Sequence, residues 1–93
     1  MTWTLVYAIS AARAIKRLDP AVRRRMLAAL RKLRAEPERG KSLQLALKGL
    51  RSWRTGDYRI VYRVIESRIE ILVVAVGHRR DVYERLKKML DAR

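Results

Sequence analysis

The sequence predicts an α+β fold in which a small, mostly antiparallel four-stranded sheet carries an N-terminal helical hairpin on one face and a C-terminal helix. Residues 58–76 are rich in β-branched and aromatic side chains with period-two alternation, which indicates two strands joined at residues 66–68. Apolar residues recur at three and four positions between residues 11 and 33, which indicates helices. The length of 93 residues predicts a single domain over 1–93. The patterns along the chain predict the element order β-α-α-β-β-β-α.

The N-terminal half is predicted to form one strand and two helices. Residues 3–9 alternate like a strand, and the Ser10 side chain can cap a helix that begins at Ala11. Proline is tolerated at the first position of a helix, so Pro20 is expected to begin the second helix, and Pro37 to end it. The stripe of the second helix that we expect to face the sheet consists of Val22, Met26, Ala29, Leu30 and Leu33.

The C-terminal half is predicted to supply three strands and a helix. A strand over residues 50–54 turns at residues 55–57 into the hairpin, and the last strand ends at Gly77. Because successive side chains of a strand point to opposite faces, Arg59 and Arg63 share a face. The closing helix begins near Asp81, and its apolar stripe consists of Val82, Leu86, Met89 and Leu90.

The loop between the second helix and the next strand, residues 37–48, contains three alternating leucines. These residues, Leu43, Leu45 and Leu47, predict a loop that is partly buried rather than fully solvated.

The chain is strongly basic, with 23 Lys and Arg against 9 Asp and Glu and a net charge of +14. A charge this large in a short chain predicts a polyanionic partner. Nucleic acid is favoured over a membrane because the cations are spread through helices and strands rather than set opposite one broad apolar face. An acidic protein partner would satisfy the same charge. On the second helix, Arg24 and Arg31 are candidate RNA contacts.

Composition also excludes several kinds of site. The chain has no cysteine and one histidine, which excludes disulfides, thiolate ligands and a multi-histidine metal centre, and we expect no metal and no cofactor. No segment reaches the ~20 apolar residues of a membrane span, and the N-terminus lacks the pattern of a signal peptide. The expected location is the cytoplasm.

A cationic group of side chains follows the last strand, where Gly77 is succeeded by His78, Arg79 and Arg80. Cleavage of RNA by its own 2′-hydroxyl suits arginines, one histidine and tyrosines, because the substrate brings the nucleophile and the protein positions it, moves protons and neutralises the phosphorane. The same residues have structural interpretations. Arg59 can equally be a solvated or salt-bridged cation, and His78 can equally cap or stack.

Three segments resemble the RelE/ParE superfamily of toxin–antitoxin toxins, and are closest to its RelE branch. They are Leu-Lys-Gly-Leu at 47–50, Gly-Asp-Tyr-Arg-Ile-Val-Tyr at 56–62 and Val-Gly-His-Arg-Arg-Asp-Val-Tyr at 76–83. The resemblance implies a small ribonuclease that enters the ribosomal A site, cuts messenger RNA and is held inactive by a cognate antitoxin. It also implies that three residues are catalytic. Arg59 contacts the scissile phosphate, and Tyr83 stacks on a base or moves a proton. Arg79 matches the catalytic arginine that follows the Gly-His pair in the family.

The sequence departs from the family on the strand before the hairpin, where ribosome-dependent members carry two lysines. Leu50 and Ser52 stand near those positions, and the segment offers as RNA-binding cations Lys48, Arg51 and Arg54. His78 is then the candidate general base, because a neutral imidazole can accept a proton near neutral pH.

Two other functions fit the same resemblance. A ParE-like inhibitor of DNA gyrase would use its surface for protein contact and needs no catalytic cluster, and a catalytically inactive relative would only bind nucleic acid. The nuclease requires that Arg59, Arg79, His78 and Tyr83 lie within reach of one phosphate.

Overall fold

The chain folds into a five-stranded sheet with strand order β1-β5-β4-β3-β2 and three helices, in a computed structural model that describes residues 2–78 and 81–91. In chain order the elements are β1 (Thr4–Tyr7), α1 (Ile9–Lys16), α2 (Pro20–Ala35), β2 (Lys41–Ser42), β3 (Arg51–Thr55), β4 (Tyr58–Ile65), β5 (Glu70–His78) and α3 (Asp81–Asp91). Short 3-10 turns cover Pro37–Arg39, Leu45–Leu47 and Glu66–Arg68.

The α+β prediction is confirmed, with one strand more than expected. The extra strand, β2, has two residues and pairs antiparallel with β3, so that Lys41 lies opposite Ser52. Two polar residues show no alternation, which explains why the sequence did not reveal it. The predicted hairpin is present as the antiparallel pair β4–β5, and β1 pairs with β5 in parallel.

Strand β4 is covered on both faces, since Ile60, Val61 and Tyr62 are all fully buried. One face of the sheet packs against the helical hairpin of α1 and α2 and is called the hairpin face. Its core is formed by Ala11, Ile15, Met26, Ala29, Leu30, Leu33, Ile60, Tyr62, Ile71, Val73 and Val76. Met26 and Leu30 are buried as predicted. The opposite face, the α3 face, carries a smaller core formed by Leu47, Leu50, Val61, Val82 and Leu86. The predicted α3 stripe is buried at Val82 and Leu86 but exposed at Met89, and the side chain of Leu90 lies outside the described part of the chain.

The predicted Ser10 cap of α1 is wrong, because the helix begins at Ile9 and its cap residue is Ala8. The Ala8 amide donates to the Val73 carbonyl at 2.9 Å, so the chain passes directly from the sheet into the helix. The C-terminal end of α1 is capped by Arg23, a residue of α2. The Arg23 guanidinium donates to the carbonyls of Ile15, Lys16 and Leu18 at 3.3, 2.8 and 2.9 Å, which satisfies acceptors that a helix end leaves open.

The hydroxyl of Tyr62, at the centre of the sheet, fixes the segment after α2. It donates to the Pro37 carbonyl at 2.7 Å and accepts from the Gly40 amide at 2.8 Å. Position 40 must be glycine because a Cβ there would collide with the Tyr62 hydroxyl and lie 2.9 Å from the Ser52 carbonyl oxygen. Arg51 strengthens the same segment by donating to the Gly40 carbonyl at 2.7 Å.

The loop of three leucines is buried at one of them only. Leu47 is buried and Leu43 half-buried, whereas Leu45 is 92% exposed and has a left-handed backbone with φ of 57°. The prediction of a partly buried loop is therefore confirmed by Leu43 and Leu47, whereas Leu45 does not contribute because its left-handed backbone interrupts the alternation.

We expect Tyr62→Phe to lower the free energy of unfolding by about 1–3 kcal/mol, because it leaves the buried Gly40 amide and Pro37 carbonyl without their partner. Urea denaturation measures the change. Tyr7→Phe is the matched control: among the described residues no hydrogen bond involves the Tyr7 hydroxyl, so that variant should stay within about 0.5 kcal/mol of wild type. Equal effects of the two changes would contradict the role given to Tyr62.

Alkaline pH should weaken the same interaction. Burial raises the pKa of Tyr62 above its ordinary value of 10.0, against smaller opposing effects of the Gly40 hydrogen bond and the Arg51 charge. The unfolded chain then loses this proton first, so the stabilisation is complete below a pH of about 10 and is lost as the pH rises further. We expect the stability difference between wild type and Tyr62→Phe to shrink from pH about 8 to about 11 in urea denaturation. A constant difference would show that the buried phenol does not titrate with unfolding.

Candidate functional site

Three separate elements bring polar side chains together on the α3 face. Ser52 lies on β3 opposite Val61, and Arg54 lies opposite Arg59 on β4. Residues that lie opposite each other in a sheet point to the same face, so Ser52, Arg54 and Arg59 share the face of Val61. The third element is α3, whose first turn carries Tyr83.

The Tyr83 hydroxyl is the point where these elements meet. It lies 2.7 Å from Ser52 Oγ and accepts a hydrogen bond from Arg59 Nη1 at 3.3 Å. The Arg59 guanidinium carbon also lies 5.5 Å from the centre of the Tyr83 ring, in the range of a cation–π interaction. Ser52 is only 6% exposed. A buried hydroxyl needs a partner, and Tyr83 supplies it, so the tyrosine is held by its tip as well as by its helix.

Gly77 allows α3 to approach closely enough for this contact. It lies opposite Arg59 in the sheet, and a Cβ at this position would stand 3.0 Å from the Cβ of Val82 and collide with the Arg85 guanidinium. The missing side chain therefore lets the first turn of α3 rest on the end of β5. That approach places Tyr83 over Arg59.

The cluster has a positive charge that no carboxylate of the described residues neutralises. Arg54 and Arg59 are directly opposite each other, an arrangement that repulsion between like charges disfavours. Within residues 2–78 and 81–91 neither guanidinium forms an ion pair, although Arg54 Nε donates to the Gly56 carbonyl at 3.0 Å. An arginine pair kept without a carboxylate is a ready site for an anion.

His78 lies on the other face of the sheet. It is opposite Tyr58, its ring meets the Tyr58 ring edge to face with centroids 5.2 Å apart, and Tyr58 packs on the hairpin-face core. The cause is a register shift between Val61 and Tyr62, where β5 contains one residue more than β4. Such a bulge reverses the alternation beyond it, so His78 turns away from Arg59 and Gly77 turns towards α3.

Of the four predicted catalytic residues, the structure therefore brings together Arg59 and Tyr83 and places His78 apart from them. Arg79 lies outside the described residues.

The predicted RNA-binding cations fall on different surfaces. Arg54 belongs to the cluster, and Lys48 is exposed after the Leu45–Leu47 turn. Arg51 lies opposite Tyr62 on the hairpin face, where its guanidinium binds backbone carbonyls. Arg24 and Arg31 are exposed on α2, the helix that packs on the hairpin face. The five cations do not form one patch.

Sequence reasoning noted Ser52 only as a residue standing where a lysine was expected. The turn at Gly56 and Asp57 could have predicted its position. A two-residue connection pairs Arg54 with Arg59 and Ser52 with Val61, which places Ser52, Arg54 and Arg59 on one face. The contact with Tyr83 could not be read in this way, because it depends on how α3 packs.

The part of the chain that the structure describes shows neither a metal centre nor a membrane-spanning helix. In that part of the chain no group of three or more His, Cys, Asp or Glu side chains is placed to bind a metal ion. None of the helices in it has the length and apolar character needed to cross a membrane.

Known proteins are similar to this chain in sequence and in fold. A family model described as "ParE toxin of type II toxin-antitoxin system, parDE" matches residues 5–83. Toxin RelG of Mycobacterium tuberculosis is 35% identical over 91 residues, which cover 91% of this chain and all of that protein.

Solved structures agree. A chain of the RelBE2 toxin–antitoxin complex of M. tuberculosis superposes with a TM-score of 0.79 at 31% identity, covering 85% of this chain and 100% of that one. The isolated RelE toxin of E. coli shares the fold with a TM-score of 0.72 at 22% identity, covering 95% and 98%. The family model and the RelG match together show that the chain belongs to the RelE/ParE superfamily of type II toxin–antitoxin toxins, on its RelE branch.

Proposed function

We propose that this toxin is a ribosome-dependent endoribonuclease that cuts messenger RNA in the cytoplasm without a metal ion and so inhibits translation. The observation that carries the proposal is the meeting of Arg59, Ser52 and Tyr83 at one hydroxyl, beside Arg54, which forms no ion pair with any residue that the structure describes. Such a site offers a fixed positive charge and a hydroxyl to a phosphate group.

The proposed reaction is an internal transfer within the RNA. The 2′-oxygen of one nucleotide attacks the adjacent phosphorus and loses its proton to a base, while the bond to the 5′-oxygen breaks and that oxygen takes up a proton. The product ends are a 2′,3′-cyclic phosphate and a free 5′-hydroxyl. Arg59 would stabilise the charge on the phosphorane, and Arg79 is proposed as a second cation at the same phosphate.

Proton transfer is assigned to Tyr83 in preference to His78. The Arg59 guanidinium can only donate, so the Tyr83 oxygen accepts from it and keeps its own proton, which it can donate either to Ser52 Oγ or to an oxygen of the substrate. His78 would have to leave Tyr58 and pass round the end of β5 to reach the same phosphate.

A cognate antitoxin is the proposed protein partner. Two relatives were solved as toxin–antitoxin complexes, RelBE2 of M. tuberculosis and RelE–RelB of Pyrococcus horikoshii. For this chain, with its net charge of +14, we propose an acidic or amphipathic segment that either covers Arg59 and Arg79 or displaces α3, whose apolar stripe buries Val82 and Leu86.

The alternative function, a ParE-like inhibitor of DNA gyrase, is favoured by the family model, which describes ParE toxins. It requires no cluster of catalytic side chains. The two functions are therefore separated by variants of the cluster that leave the rest of the surface unchanged.

Arg59→Ala should lower the rate of messenger RNA cleavage on ribosomes by about 10²-fold or more, because it removes a preorganised charge from the phosphorane. Single-turnover cleavage on programmed ribosomes measures this rate. Arg68→Ala is the control, since Arg68 is exposed in the turn at the opposite end of the hairpin and should keep the wild-type rate. If Arg59→Ala and Arg79→Ala are both folded, expressed and fully toxic, the nuclease proposal fails and gyrase inhibition replaces it.

Tyr83→Phe tests whether the hydroxyl or only the ring is needed. We expect about 10²-fold slower cleavage, as for the loss of a general acid or base, with little change in the concentration of programmed ribosomes that gives half the maximal rate. His78→Gln, measured in the same assay, should keep the rate within a few fold of wild type. The opposite pattern, a silent Tyr83→Phe and a slow His78→Gln, would return proton transfer to the histidine.

A further inference from the structure

A depression opens on the α3 face directly beside the cluster of Ser52, Arg59 and Tyr83. It has a cavity volume of about 320 Å³ and lies between the loop at residues 43–47 on one side and Tyr83 with Lys87 on the other. Tyr83 belongs to both places: its hydroxyl contacts Arg59, and its side chain also lines this groove.

The walls of the groove are held rigidly. Leu47 is buried in the α3-face core, and Leu43 packs against the same core. Tyr83 is fixed at its hydroxyl by Ser52 and Arg59. The groove is thus present before any ligand binds, which is the usual condition of sites for small flat molecules.

Two exposed residues of the loop, Gln44 and Leu45, have features that packing of the fold does not explain. Leu45 is 92% exposed at the rim and holds a φ of 57°, a backbone conformation that is unfavourable for leucine. Strained, exposed residues of this kind concentrate at binding sites. Gln44 is exposed beside it, and its carboxamide forms no hydrogen bond with any other residue in the described ranges.

The size and surroundings of the groove identify its occupant. A space of this volume, between leucines and a tyrosine, accommodates one aromatic ring system but not a row of side chains from a helix. Arg59 lies next to it, since its guanidinium donates to the hydroxyl of Tyr83, and this cation favours an occupant that carries phosphate. A nucleotide combines both properties, because its phosphate can bind at Arg59 while its base lies on the other side of Tyr83.

We propose that this groove binds one nucleobase of the RNA strand, next to the phosphate held by Arg59, and that the Gln44 carboxamide reads the edge of that base. The inference rests on the proposed nuclease function and deepens it. A carboxamide has an acceptor and a donor side by side, the pattern that pairs with the amino group and ring nitrogen of adenine. Gln44 therefore gives the cut sites a preference for adenine at one position near the cut.

The test maps the cut ends of cellular messages after the toxin is induced. Wild type should show enrichment of one base, adenine, at a fixed position beside the cut. Gln44→Ala should reduce that enrichment by about fivefold or more, the loss expected for one bidentate base contact, while total cleavage stays within a few fold of wild type. Gln44→Glu should shift the preference towards cytosine, because a carboxylate only accepts and cytosine presents an amino donor.

Arg68→Ala serves again as the control and should reproduce the wild-type profile. Since Gln44 is exposed, all of the Gln44 variants should also keep the wild-type melting temperature. A wild-type protein that cuts, but whose base profile is the same as that of Gln44→Ala, overturns the inference and leaves the nuclease function standing. A wild-type protein that makes no cuts overturns both. If Gln44→Ala keeps the profile but escapes neutralisation by the co-expressed antitoxin, the groove is a protein contact and the base-binding inference is wrong.

Discussion

The buried hydroxyl of Tyr62 is the interaction on which the arrangement of the sheet depends. With bonds of 2.7 and 2.8 Å to Pro37 and Gly40, it joins the end of the helical layer to the central strand, at a point from which water is excluded. The anchored segment continues into β2, which covers the edge of β3. Because β3 is held between β2 and β4, Ser52 has a fixed position under α3. A single phenol on the hairpin face thus determines where a hydroxyl stands on the opposite face.

The arginines that the structure describes differ in what their guanidinium groups bind. Arg23, Arg34 and Arg51 donate to backbone carbonyls and hold helix ends and loops in place. Arg54 and Arg59 lie opposite each other at the cluster, where neither forms an ion pair with the residues that the structure describes and only Arg54 also donates to a backbone carbonyl. A fixed guanidinium that satisfies carbonyls still contributes to the long-range field of the chain, but it has few donors left for a ligand. Net charge therefore predicts attraction of a polyanion far better than it predicts the residues that bind it.

The sequence was sufficient for the hairpin and for the helix stripe with Met26 and Leu30, because periodicity records burial directly. It was insufficient wherever one residue changes the geometry. A single extra residue in β5 moved His78 to the other face, and the left-handed backbone at Leu45 turned a leucine outwards. Neither feature changes the hydrophobic periodicity of the sequence, so periodicity could not predict either of them. The Ser52–Tyr83 contact was equally hidden, since it joins residues 31 positions apart through the packing of a helix.

The parallel pairing of β1 with β5 has a consequence for how the toxin is made. Thr4 pairs with Glu70, so the first strand emerges from the ribosome long before its partner has been synthesised. Ser52, Arg59 and Tyr83 meet only after α3, which ends at Asp91, has left the exit tunnel and docked. A nascent chain consequently has neither a closed sheet nor an assembled cluster. Assembly of the cluster therefore depends on the element of the described chain that is synthesised last.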